Sequence, residues 1–298
     1  MLPRRAQRRH REAISLLRPL SRISLIVSLT LCVTVAATAQ RVAVLTPDNT
    51  PSSQAFAEKL QAELADRVKL IDSSMAASAF NAAALKTPFN LTIEEAKRVG
   101  QAIGCEFFVL VRSAVQRRSS FERQEYYEAY AALFLVSART GRLVSFVNEK
   151  HVGDKPEVAA RELDSSIPKV AEQIVSTAKR TQASEFNEPP APQMDEPPDP
   201  ASPAAKGFKA PVPFKRLKPD YTDEASLYDV TATVEILVDL SADGKVMRTE
   251  VARWAGYGLD ESAIAAIRSM NWRPAERDGK FLPMRFLVRY NFKKPEKP

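Results

Sequence analysis

Histidine and cysteine are scarce in this chain, which holds only two of each among its 298 residues. His10 and Cys32 lie before residue 40, so the rest of the chain keeps only His151 and Cys105. A metal site of clustered histidines and cysteines needs more of them, and a nucleophilic triad would have to be built around His151 alone. We therefore predict that the protein is not an enzyme and holds no metal and no cofactor.

Signals for phosphate binding and for disulfides are also missing. Gly100 stands in a predicted helix and Gly104 at its end, and no lysine follows them at the spacing of a phosphate loop. Cys105 lies in an apolar strand, where a buried and unreactive thiol is expected. With no second cysteine beyond residue 39, that part of the chain cannot form an internal disulfide.

Net positive charge is nearly absent outside the first residues, although the formal net charge of the chain is +7. Residues 1–39 hold seven arginines and one glutamate, so the remaining residues are close to neutral. The basicity therefore does not indicate a phosphate-binding surface, and no nucleic-acid partner is predicted. We expect Trp254, Tyr257 and Trp272 to pack in cores rather than to stack on bases.

A targeting segment accounts for the basic end. Residues 23–39 are an uncharged and mostly apolar run, which ends in Ala37-Thr38-Ala39. This pattern predicts a signal peptide at residues 1–39 and export to the periplasm. The alternative is an uncleaved anchor in the inner membrane, because the run just reaches the shortest length that spans a bilayer. Lipidation at Cys32 is disfavoured, since Leu31 precedes it where a small residue is needed.

Residues 40–181 have the pattern of an α/β domain, with strands and helices first in alternation and then a hairpin. Thr92 and Glu95 form a capping box that begins a helix, which ends before Gly104. Pro168 is expected to kink or divide the helix predicted at residues 155–180. The predicted strands cover residues 41–46, 68–72, 106–112, 126–138 and 143–152.

This half resembles the small α/β domains of bacterial envelope proteins, namely the TolB N-terminal domain and the CsgG- and FlgO-like lipoproteins. Three pieces carry the resemblance: the opening strand and helix, residues 96–106 leading into a buried strand, and residues 136–141 of the hairpin. The resemblance implies assembly or docking of other proteins.

Residues 182–213 are predicted to be a linker. Nine prolines fall between Pro189 and Pro213 and are mixed with acidic residues. Such a segment favours extended, polyproline-like conformations. A spacer across a compartment and a simple tether are both compatible with this composition.

Residues 214–298 predict a small α+β domain of order β-β-α-β. Apolar residues alternate from Val230 to Leu240, a turn follows at residues 241–245, and a second strand runs from Val246 to Trp254. Asp260 is placed as the N-cap of a short helix. The last strand follows the turn Asp278-Gly279 and alternates apolar with polar residues from residue 284 to residue 292.

This order resembles the C-terminal domain of the TonB family. The matching motifs are Lys218-Pro219-Asp220-Tyr221, Val238-Asp239, Asp243-Gly244-Lys245-Val246, Gly258-Leu259-Asp260 with Ala263, Ala266 and Ile267, Trp272-Arg273-Pro274-Ala275, and Gly279. The resemblance implies a periplasmic module that binds the TonB box of an outer-membrane receptor by adding it as a strand to the sheet edge. The implied pairing edge consists of Met284, Arg285, Phe286, Leu287, Val288, Arg289 and Tyr290.

Other functions stay open at this point. The same strand could be an ordinary edge, covered by a neighbour or by a second copy in a homo-oligomer, with Arg285 and Arg289 preventing unwanted pairing. An anchored transducer working with ExbB and ExbD is a second hypothesis. The apolar segment, however, has no charged residue and no histidine, whereas such anchors carry polar residues that engage ExbB and ExbD. A folded domain also follows it, and Thr222 replaces a proline of the family pattern. An adaptor or assembly protein with no transport role is the third.

Overall fold

The computed structural model describes residues 40–294. The predicted signal peptide or anchor lies outside these residues. Within them, no helix combines the length and the apolar character needed to cross a membrane. The elements of the first half are β1 (Arg41–Leu45), α1 (Pro51–Leu64), β2 (Lys69–Leu70), α2 (Ser73–Ala82), α3 (Ile93–Ile103), β3 (Phe107–Arg118), β4 (Tyr126–Ser137), β5 (Leu143–Gly153), α4 (Pro156–Ser165) and α5 (Ile167–Phe186).

The first half is built on one five-stranded sheet of order β2-β1-β3-β4-β5. β1 runs parallel to β2 and β3, whereas β4 is antiparallel to both β3 and β5. This is the predicted change from βαβ units to a hairpin. β4 is buried along most of its length, because α1, α4 and α5 cover one face of the sheet and α2, α3 and the second half of the chain cover the other.

Local capping decides where α3 begins and ends. The Glu95 carboxylate accepts a hydrogen bond from the Thr92 backbone at 2.8 Å, and the Glu95 backbone donates to the Thr92 hydroxyl at 3.1 Å. Gly104 ends the helix with φ +75°, a left-handed conformation that glycine adopts without strain. Both signals are short-range, which is why they could be predicted from the sequence.

The predicted helix at residues 155–180 is divided into α4 and α5, with Pro168 in the first turn of α5. α5 continues to Phe186 and thus enters the range predicted as linker. Its last turn is held by Glu185, a buried carboxylate that accepts hydrogen bonds from the Ser137 hydroxyl at 2.9 Å and from the Thr140 hydroxyl at 2.7 Å. The turn between β4 and β5 therefore stabilises a helix end that composition alone assigned to the linker.

The second half contains three small sheets, of orders β13-β8-β9, β12-β11-β6 and β10-β7. Its elements are β6 (Phe208–Lys209), β7 (Val212–Pro213), α6 (Asp223–Leu227), β8 (Ala232–Leu240), β9 (Val246–Arg253), α7 (Leu259–Arg268), β10 (Trp272–Arg273), β11 (Ala275–Arg277), β12 (Lys280–Leu282) and β13 (Met284–Phe292). The predicted β-β-α-β order corresponds to β8, β9, α7 and β13, and it omits α6 and the short strands. At the coarser level, a mixed α/β protein with a small sheet-rich C-terminal domain is confirmed.

Aromatic side chains join the two halves in one core. The ring of Phe134 in β4 lies 5.8 Å from that of Trp254 and 4.9 Å from that of Phe146. Phe146 in turn lies 4.5 Å from Tyr257. The domain boundaries predicted from the sequence stay a prediction, but the halves also pack directly against each other and are not joined by the linker alone.

The segment before α3 extends the sheet of the second half. The Trp254 backbone N–H donates to the Leu91 carbonyl at 3.2 Å. Asn90 donates to the carbonyls of Thr233 and Trp254 at 2.9 and 2.6 Å and accepts from the Thr233 N–H at 2.9 Å. Asn90 thus takes the place of a further β9 residue beside β8.

Asp260 does not have the predicted N-cap role. α7 begins at Leu259, and Gly258 is the N-cap residue, with φ +73°. The Asp260 carboxylate instead accepts backbone hydrogen bonds from Ala255 and Gly256, both at 2.9 Å. The buried carboxylate therefore fixes the loop before the helix rather than the first turn of the helix.

Candidate functional site

β13 lies at the edge of the β13-β8-β9 sheet. Its nine residues pair with β8 in one continuous antiparallel register, from Met284 opposite Leu240 to Phe292 opposite Ala232. No strand among residues 40–294 pairs with its other side. The seven residues predicted as a pairing edge therefore lie together on an edge strand; whether a partner uses it stays a prediction.

One hydrogen bond shows which backbone groups of β13 face outward. The N–H of Arg285 donates to the Asp195 carbonyl at 2.8 Å, on the side away from β8. Because backbone groups alternate along a regular antiparallel strand, those of Leu287 and Arg289 also face outward, while those of Phe286 and Val288 face β8. The Arg289 carbonyl supports this alternation, because it faces outward and accepts a hydrogen bond from the Arg216 guanidinium at 3.2 Å.

The two faces of β13 differ in chemistry. On the face toward α7, Met284, Tyr290 and Phe292 are buried, and the Phe286 ring meets that of Trp272 edge-on at 5.1 Å. The opposite face carries the side chains of the outward residues. Leu287 is the apolar one among them and is 48% exposed.

Two arginines on that second face neutralise buried carboxylates of β8. Arg285 bonds Asp239 through two nitrogens at 2.6 and 2.7 Å, and Asp239 is only 3% exposed. This hydrogen bonding raises the pKa of the Arg285 guanidinium. Arg289 bonds the buried Glu235 at 2.6 Å. Both arginines thus compensate the charge of buried carboxylates within their own sheet, because an unpaired buried carboxylate is destabilising.

A groove of about 250 Å³ runs beside the edge. Its walls combine the middle of β13 with five residues from outside that strand: Pro211, Pro213, Arg216, Met270 and Trp272. An extended segment laid along β13 would place alternate side chains toward this largely apolar groove and toward Leu287.

Two contributors to the edge were missed by sequence reasoning. Asp195 acts through a backbone carbonyl, for which no side-chain pattern exists. Arg216 lies in the segment between the linker and Lys218, and its guanidinium also sits 5.6 Å from the centre of the Tyr290 ring. Its charge was visible in the sequence, but its reach to β13 depends on tertiary packing.

Cys105 agrees with its predicted description. The thiol is free and buried, and burial raises its pKa to about 12. A thiol with such a pKa is almost fully protonated at neutral pH and is a poor nucleophile.

Comparisons with known proteins bear on the second half of the chain. The family described as "Gram-negative bacterial TonB protein C-terminal" matches residues 218–293. The TonB C-terminal domain of Pseudomonas aeruginosa, solved by NMR, is 18% identical, and the match covers 30% of this chain and 90% of that one with a TM-score of 0.26. No curated protein matches the chain.

Two further solved structures are similar. A hypothetical protein of Chlamydia trachomatis is 15% identical over 46% of this chain and 98% of its own, with a TM-score of 0.34. A lipoprotein of Neisseria meningitidis is 11% identical over 46% of this chain and 99% of its own, with a TM-score of 0.33. The family match over residues 218–293 agrees with the motifs found in the sequence. The chain therefore carries a TonB C-terminal domain at residues 218–293, with β13 as the last strand of that domain.

Proposed function

We propose that this protein works in the periplasm and binds an outer-membrane receptor, or another envelope protein, by adding an extended segment of that partner to β13. The observation that carries the proposal is the outward pair of backbone groups at Leu287. Among residues 40–294, the Leu287 N–H and C=O make no hydrogen bond on that side. An incoming strand satisfies both groups, and main-chain bonds of this kind supply the affinity in strand addition.

The residues around β13 indicate which side chains a partner segment can carry. Side chains that point toward the groove meet Pro211, Pro213 and Trp272, so apolar residues fit there. Side chains on the other face lie over Leu287 between the paired guanidinium groups of Arg285 and Arg289. The sequence of the partner segment is therefore loosely specified, with apolar residues at alternate positions.

The test uses Leu287→Pro in the full chain. Proline removes the outward N–H without removing a hydrogen bond to β8, so the sheet should remain folded. We expect binding of a synthetic peptide that carries a TonB box to weaken roughly 3- to 10-fold, the range expected for one lost hydrogen bond. Isothermal titration calorimetry measures the affinity, and circular dichroism checks the fold.

Val288→Pro is the matched control, because its N–H faces β8 and proline there breaks the ladder. We expect it to lower the stability of the sheet as well as the affinity. If a folded Leu287→Pro protein binds the peptide as tightly as the unchanged protein, pairing along β13 is wrong.

Energy transduction with ExbB and ExbD is a finer proposal, and it depends on residues 23–39 remaining in the protein. N-terminal sequencing of the native protein tests it. A protein that begins at Gln40 has lost the anchor and cannot be coupled in this way, whereas retention of residues 23–39 supports an anchored transducer.

A further inference from the structure

The acidic, proline-rich segment between α5 and β6 reaches the edge of β13. Its Asp195 carbonyl accepts the outward N–H of Arg285 at 2.8 Å. The neighbouring Met194 is half-buried, and the Glu196 carboxylate lies close enough to Arg285 to contribute to the raised pKa of its guanidinium. One end of the edge is therefore occupied by the chain itself.

The other end is held by Arg216, which follows the same segment. Its guanidinium donates to the outward Arg289 carbonyl at 3.2 Å. Leu287 lies between the two contacts, and its outward N–H and C=O have no partner among the described residues. A partner strand pairing from residue 285 to residue 289 would need the positions that Asp195 and Arg216 now fill.

The composition of the segment makes it a weak occupant. Proline has no N–H to donate, and prolines stand at positions 192, 197 and 198 around Asp195. Among the described residues, Asp195 makes the one backbone hydrogen bond between this segment and β13. The segment thus accepts from Arg285 without continuing as a paired strand beside β13.

The beginning of the segment is held separately. Arg142, in the turn before β5, bonds Glu188 through one nitrogen at 2.7 and 2.9 Å and bonds Glu250 of β9 at 2.9 Å. Hydrogen bonding to Arg142 holds the pKa of Glu188 below its ordinary value. The tethered segment therefore stays near β13 at a high effective concentration after its contact with Arg285 opens.

From these contacts we infer that residues 193–197 are a ligand of β13 within the same chain, and that a partner strand must displace them. This inference rests on the proposed function, because it concerns the same edge. Bound in this way, the segment covers part of the edge against unwanted pairing and yields to a partner that can form the complete ladder.

The test replaces residues 193–197 with glycine and serine in the full chain, at unchanged length. A Gly/Ser segment loses the packing of Met194 and the charge of Glu196, and it costs more conformational entropy to hold in place. We expect the Arg285 amide to exchange with solvent as fast as the Leu287 amide, whereas in the unchanged protein it exchanges more slowly. We also expect a TonB-box peptide to bind roughly 2- to 10-fold more tightly.

The matched control replaces residues 200–204 with glycine and serine in the same way. This piece of the segment is equally long and makes no backbone hydrogen bond with β13 within the described part of the chain. The control replacement should change neither the exchange at Arg285 nor the affinity. Equal amide exchange at Arg285 and Leu287 in the unchanged protein overturns the inference, and so does an affinity that stays the same when the Arg285 amide is released.

The amide-exchange measurement needs no peptide. It therefore tests the occupation of the edge by residues 193–197 separately from the binding of a partner strand. If no peptide binds any variant, the proposed function fails, while the protection of Arg285 still reports whether the segment occupies the edge.

Discussion

The carboxyl group of Asp260 belongs to a residue that is only 6% exposed, and it carries out a structural task at the level of a single side chain. It binds the backbone N–H groups of Ala255 and Gly256. These bonds favour the charged form, but burial has the larger effect and raises the pKa of the carboxyl to about 7. The folded protein therefore binds this proton more tightly than the unfolded chain does.

The sign of the resulting pH dependence follows directly. The stabilising effect of the proton is complete below the ordinary aspartate pKa of about 4 and is lost as pH rises through about 7. We expect the free energy of unfolding, relative to Asp260→Asn, to be about 2–3 kcal/mol lower at pH 8 than at pH 5. Urea denaturation of both proteins at the two pH values measures it. A difference that is the same at pH 5 and pH 8 contradicts the raised pKa.

At the scale of elements, the β8–β9 ladder is completed by a residue from the first half of the chain. Asn90 is 8% exposed and satisfies three backbone groups of Thr233 and Trp254. The sequence predicted β8 from its alternation and β9 as the strand that returns after the turn. It could not predict Asn90, because a residue so distant along the chain leaves no mark in that local pattern.

We expect Asn90→Ala to lower the free energy of unfolding by about 2–4 kcal/mol, because it leaves buried backbone donors and acceptors without partners. Denaturant titration measures the loss. Asn81→Ala, at an exposed position in α2, is the control and should cost less than about 0.5 kcal/mol. Similar small effects at both positions would mean that water or another group replaces Asn90.

The same distinction applies to β13. Periodicity located the strand and its polar face, but it does not show which backbone N–H groups face outward. From the sequence alone, proline at Phe286 or Val288 would be a reasonable test of the edge. The bond between Arg285 and Asp195 identifies Leu287 as the better position, because it reveals the direction in which the backbone groups point.

At the scale of the whole molecule, Phe134 and its neighbours connect the two halves. Aromatic residues from β4, β5 and the loop after β9 share one buried cluster. A flexible linker alone would leave two modules free to move independently. Because the core is shared, the β13 edge belongs to the same packed unit as the first half of the chain.

We therefore expect residues 40–294 to unfold in one cooperative transition. Leu60→Ala, in α1 and on the far side of the first sheet, should cost about 2–5 kcal/mol. It should also shift the fluorescence transition of Trp254 and Trp272, both of which lie in the second half. Glu58→Ala, exposed on the same helix, is the control. A tryptophan fluorescence transition that is unchanged by Leu60→Ala would show that the halves unfold separately.

The sequence by itself determined the local elements and the resemblance of the last part of the chain to the TonB C-terminal domain. The capping box of Thr92, the stop at Gly104 and the alternation of β8 and β13 depend on residues within a few positions of each other, so they can be read in order along the chain. Tertiary structure decided the rest. The contacts of Asp195, Asn90 and Phe134 join segments that are distant in sequence, and the first two include backbone groups of a kind that nearly every residue possesses. Such pairings arise only when the chain packs, because burial and the geometry of the ladder select which of many equivalent groups meet.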